Sequence, residues 1–177
     1  MVLTPPKRKI PGSQLNNLGK KPMGLRGSLV DVSWKVHDLL SEYVRIHDKA
    51  FKTSIRHAMP IPGIFKAIDF GVLEQEAMAL LPKFQNSKAE IDVLLPNYEG
   101  AEMQYLELLS EYAEALINTV NHLVVVLSAL YAKSQGFVNS NYDWKNYKSD
   151  LAQYEKSVKN YQVIGRKLNE FFERIKN

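Results

Sequence analysis

Four histidines, His37, His47, His57 and His122, and five glutamates, Glu99, Glu102, Glu107, Glu111 and Glu114, are the side chains here best suited to hold a metal or move a proton. A di-iron centre in a helical bundle draws on Glu-x-x-His pairs, in which one helical turn aims both ligands at one ion. None of the four histidines has a glutamate three residues before it, so that centre is not expected. The chain has no cysteine, which excludes disulfides, thiolate metal sites and c-type haem attachment; a haem held by a lone histidine stays open. Glu107, Glu111 and Glu114 share one helical face. To work as an acid and a base they would need a pocket giving them unlike environments; an exposed acidic face is the commoner fate of such residues. The chain also lacks a His-Glu-x-x-His pair, a Walker loop, a dinucleotide fingerprint and a Gly-x-Ser-x-Gly elbow. No catalytic residue, cofactor or metal ligand is assigned, and no small-molecule substrate is expected.

Two other groups point to binding rather than catalysis. Residues 1–26 carry Lys7, Arg8, Lys9, Lys20, Lys21 and Arg26 and no acid. Such clusters suit an acidic protein groove, nucleic acid or an anionic membrane, or they keep a tail in solution. With no aromatic residue among them, stacking on bases is not supported. Within this arm Gly24-Leu25-Arg26-Gly27 resembles the backbone-clamping loop of KH domains, but the strands of that fold are not expected, and the plain reading is a flexible entry into the first helix. The second group is a row, Tyr147, Tyr154 and Tyr161, repeating every seven residues beside Tyr142 and Trp144. The row fits the edge of a core with its rings covered and its oxygens wet, or an anchor stripe for another chain.

The elements that would position these groups follow from apolar spacing. Prolines and glycines break up residues 1–26, which read as an irregular basic arm. Residues 27–177 read as one all-α domain, an elongated antiparallel four-helix bundle. The first helix is expected over about 28–56, capped by Ser28 with Asp31, with the seam Leu29, Val32, Val36, Leu39, Tyr43, Ile46 and Ala50. The second spans about 70–95 with the seam Leu73, Ala77, Leu80, Phe84, Ser87, Ile91 and Leu94, and is kinked or broken at Pro82. The third, about 98–134, opens at Asn97; its seam is Leu106, Leu109, Ala113, Leu116, Val120, Leu123, Leu127 and Leu130. Val124, Val125, Val126 and Tyr131 widen that stripe, predicting deep burial of its second half. The fourth, about 140–176, opens at Ser140 with Asp143; its seam is Trp144, Tyr147, Leu151, Tyr154, Val158, Tyr161, Gly165, Leu168, Phe172 and Ile175. A short connection makes the last two helices a long antiparallel hairpin.

Charge is unevenly spread. Residues 69–114 hold ten acids against Lys83 and Lys88, and residues 133–177 hold nine bases against five acids, so the glutamates of the third helix are expected to face lysines of the fourth, Lys145, Lys148, Lys156 or Lys159. The most apolar run, Leu123–Ala132, is shorter than the roughly 20 residues that cross a bilayer, and no apolar leader follows the N-terminal charges; a cytoplasmic protein is expected. The expected function is a non-enzymatic structural or protein-interaction bundle, part of a larger assembly, with a protein partner or a second copy of itself and a basic arm on an acidic partner. The alternatives are an adaptor holding anionic membrane or nucleic acid through the arm, and a metal- or cofactor-binding bundle.

Overall fold

A computed structural model describes residues 23–51, 68–136 and 144–176. They form four α-helices, α1 (Met23–Phe51), α2 (Phe70–Leu94), α3 (Gly100–Ser134) and α4 (Trp144–Lys176), with one 3-10 turn at Leu95–Asn97 and no strand. The fold is the expected all-α four-helix bundle. Neighbours run antiparallel. Lys35 and Glu42 of α1 meet Glu90 and Lys83 of α2. Asp92 of α2 accepts a hydrogen bond from Ser110 at the start of α3, while Gly71 lies against Tyr131 at its end. Tyr105 and Phe172 pair at one end of the α3–α4 hairpin, and Lys133 reaches Trp144 at the other.

The apolar stripes explain the core. All seven seam residues of α1 are buried, as are six of seven in α2, with Leu94 half-buried. α3 packs against all three other helices, so its buried face is wider than one stripe: Tyr105, Tyr112, Ala115, Ile117 and Thr119 are buried beside the seam. The Thr119 hydroxyl is satisfied by donating to the Ala115 carbonyl at 2.8 Å. α4 is the least covered helix. Tyr154, Tyr161, Ile164 and Leu168 are buried, whereas Tyr147, Leu151, Val158 and Phe172 are half-covered.

Several expectations are corrected. α1 begins at Met23, so Ser28 is inside the helix and is not its N-cap. α2 is one continuous helix through Pro82, which excludes the break, one of the two outcomes expected there; Pro82 is exposed, so water can bond the Met78 carbonyl that the proline leaves without a donor. α2 is capped by Asp69, whose Oδ1 accepts from the Val72 N–H at 3.1 Å. α3 opens at Gly100 after the turn that contains Asn97. At the other end of α3 Gly136, at φ +74°, supplies the left-handed residue that commonly ends a helix. Val125 and Tyr131 are 46% and 40% exposed, so the second half of α3 is not buried all round. The start of the fourth helix at Ser140 and the end of the first beyond Phe51 lie outside the described residues.

α3, 35 residues long, is long and apolar enough to cross a membrane by length and composition; Leu123–Ala132 is only part of that stretch. A central core helix passes the same test, and α3 occupies that place here.

Candidate functional site

The arm residues Lys7, Arg8, Lys9, Lys20 and Lys21 lie outside the described residues, and Arg26 is described by its backbone alone. That backbone matters, because Gly24–Gly27 is helical. The segment is neither a clamping loop nor a flexible lead-in. It is part of α1.

The tyrosine row divides. Tyr154 and Tyr161 are 2% and 8% exposed and belong to the core, which takes them out of the expected interface; Tyr147 is half-buried. Nor is the Tyr154 oxygen wet. It lies 2.7 Å from the hydroxyl of Tyr43 and 2.6 Å from Nδ1 of His47. With Tyr43 donating to Tyr154 and Tyr154 donating to His47 Nδ1, both hydroxyls are satisfied. The rings of Tyr43 and Tyr161 meet edge to face at 5.8 Å, and Phe51 stacks on Tyr154 at 5.7 Å. α1 and α4 therefore meet through large aromatic rings. Burial pushes the hydroxyl pKa values of Tyr43, Tyr154 and Tyr161 above the ordinary 10.0; neighbouring tyrosines add to the rise at Tyr43, whereas hydrogen bonding to Tyr43 offsets part of it at Tyr154 and Tyr161. Such groups stay neutral at physiological pH. The arrangement can fix the register of two helices. Tyr43, Tyr154 and Tyr161 are enclosed in the core, while His47 and Phe51 are half-buried at its edge.

The fourth-helix seam begins, against expectation, on an exposed residue. Trp144 is 60% exposed. Tyr147, one turn on, stacks against it at 5.3 Å and 21°. Lys148 Nζ stands 5.4 Å from the indole centre, and Lys133 Nζ, from the end of α3, 5.8 Å. The heptad period assigned Trp144 to the core because it continues the spacing. What the period lacks is the place where the neighbouring helices end. The adjacent Lys133, Lys145 and Lys148 were the available sequence signal.

The charges are also arranged differently from expectation. Glu107, Glu111 and Glu114 stand exposed along the outer side of α3, and Lys156, Lys159, Arg166 and Lys167 along that of α4. Among the described residues no ion pair joins these two rows. Cross-helix ion pairs instead link α1 to α2, among them Lys35–Glu90 at 2.6 Å, Glu42–Lys83 at 3.1 Å, Arg45–Glu76 at 3.2 Å and Lys49–Glu76 at 3.7 Å. A depression of about 630 Å³ lies between those helices, lined by Ser28, Asp31, Val32, Lys35, Glu90 and Val93 among others. Its Lys35 and Glu90 form an ion pair, and its remaining charged residue, Asp31, is exposed. Among the described residues no three His, Asp or Glu side chains converge on a position for a metal.

Comparison with family profiles, with curated proteins and with solved structures gives no match.

Proposed function

We propose that this chain is a non-enzymatic interaction bundle that associates with further copies of itself, the acidic side of α3 on one copy meeting the basic side of α4 on the next. The observation that carries this reading is the exposed pair of opposite rows, Glu107, Glu111 and Glu114 on one helix and Lys156, Lys159, Arg166 and Lys167 on its neighbour, with no ion pair between them among the described residues. Like charges at i,i+3 and i,i+4 cost an isolated helix a few tenths of a kcal/mol per pair. A neighbour of opposite sign would reverse that cost and select the orientation of docking. Two different surfaces meeting in this way form a heterologous contact, which closes into a ring or extends into a filament. The basic arm, with Lys7, Arg8, Lys9, Lys20, Lys21 and Arg26, would add cations for the same acidic side of a neighbour.

Light scattering on the full chain across a salt series tests the reading. A mass above that of one chain is expected at low salt, falling toward it as salt screens the rows. A single-chain mass at every salt and protein concentration would rule the reading out.

A further inference from the structure

We propose that the cluster where the end of α3 meets the start of α4 is a docking site for anionic lipid bilayer surfaces, with Trp144 as its anchor and Lys133 and Lys148 as its headgroup contacts. The inference uses residues apart from the charged rows above and stands whether or not the chain self-associates.

The argument starts from the cost of the observed arrangement. A 60% exposed tryptophan keeps a large apolar ring in water, and nothing in the core requires it. Tryptophan and tyrosine are favoured where one side is apolar and the other wet, as at the headgroup level of a bilayer. Tyr131, 40% exposed, and the half-buried Tyr147 stand at the same end of the bundle. Around them the described residues of 131–148 include Lys133, Lys145 and Lys148; with Asp143 before Trp144 and Asp150 after Lys148, lysines outnumber acids three to two over residues 131–150 of the sequence. Long lysine stems can lie along an apolar surface while the ammonium reaches a phosphate. In the isolated chain two ammonium groups rest over the indole. Such contacts are worth about 0.5–1 kcal/mol at an exposed site, so lipid phosphates can draw the lysines away as the ring enters the headgroup layer.

Single-stranded nucleic acid is the competing partner for aromatic residues among lysines. It needs a free ring face on which a base can stack. Tyr147 already stacks on Trp144, and two ammonium groups lie over it, so the ring is offered by its edge. That favours insertion over stacking. The site is also distinct from the arm. The arm joins α1 at Met23, and α1 runs 29 residues to Phe51, which stacks on Tyr154, ten residues beyond Trp144 on α4; the length of α1 alone is about 40 Å at 1.5 Å per residue.

The chain has two tryptophans, so in the full-length Trp34→Phe variant the indole emission reports Trp144 alone. This variant is titrated with vesicles of phosphatidylcholine, with vesicles that also contain phosphatidylserine, and with a single-stranded oligonucleotide. The unmodified chain is co-sedimented with the same vesicles, and circular dichroism confirms that each variant is folded. We expect a blue shift and co-sedimentation with the anionic vesicles only, both weakened by salt. K133Q/K148Q should weaken binding about 25-fold, at about 1 kcal/mol per lysine near an anionic surface, and W144A should abolish the residual attachment. Unchanged emission with anionic vesicles would overturn the proposal. So would undiminished sedimentation of W144A/K133Q/K148Q, which would assign the membrane contact to another part of the chain, or oligonucleotide quenching of Trp144 without any response to vesicles.

Discussion

The hydroxyl of Tyr154 on α4 lies 2.7 Å from that of Tyr43 on α1, and the same oxygen reaches His47 Nδ1 at 2.6 Å. These bonds join the first helix of the chain to the last across a seam otherwise made of rings. Tyr154→Phe keeps the ring and removes the middle member, so the buried Tyr43 hydroxyl and the half-buried His47 each lose this hydrogen bond. We expect a loss of about 1–3 kcal/mol, read by urea unfolding. Tyr43→Phe should behave similarly, and the double variant should lose less than the two single losses combined. Strict additivity would show that the two hydroxyls do not act together.

Alkaline pH tests the same seam. Burial favours the neutral form of Tyr43, Tyr105, Tyr112, Tyr154 and Tyr161, so each folded pKa lies above the ordinary 10.0. Below pH 10 these groups are protonated in both states and stability is unaffected. Above it the unfolded chain releases protons first, and stability falls until pH passes the folded values. Helicity and tyrosinate absorbance should therefore change together in one cooperative alkaline transition. Tyrosines that titrate normally in a fully helical protein would contradict the burial.

Gly165 interrupts the α4 seam where Tyr112 of α3 crosses it. A Cβ built at Gly165 would come within 2.9 Å of the Tyr112 ring. Alanine would gain about 1 kcal/mol of helix propensity, against about 1–3 kcal/mol for overpacking a buried aromatic. Gly165→Ala should lower the thermal midpoint, and Tyr112→Leu in the same chain should recover part of it. A raised midpoint would mean that the ring has room to move.

Much of this architecture is legible in the spacing, and its failures have physical causes. In α1 every seam residue is buried, because a helix with one apolar side has one way to bury it. For α3 spacing understates the burial, since a helix with three neighbours uses most of its circumference. For α4 spacing overstates it at Trp144, since a period does not record where a neighbouring helix ends. The pairing of Tyr43 and His47 with Tyr154 spans more than a hundred residues and follows from topology, which no local pattern contains. The ion pairs were misjudged for a related reason. Segment charge pairs the middle of the chain with its end, whereas α1, which precedes both, supplies Lys35, Arg45 and Lys49 to acids of α2 and Glu42 to Lys83.

Removing the arm offers a separate check on assembly. A chain lacking residues 1–22 keeps α1 from Met23 onward and loses Lys7, Arg8, Lys9, Lys20 and Lys21. It should stay folded by circular dichroism and associate more weakly at low salt, by up to about 1 kcal/mol for each exposed ion pair lost. Unaltered association would leave the arm without a part in the contact.

The most direct test of the central claim is charge exchange between two variants, read by light scattering at low salt. E107K/E111K/E114K alone and K156E/K159E/K167E alone should each remain single chains, since each has lost one of the two complementary sides. Mixed in equal amounts, they should associate, the reversed α3 row of the first meeting the reversed α4 row of the second. Two variants that associate alone as the unmodified chain does, or a mixture that stays monomeric while the unmodified chain assembles, would contradict the account.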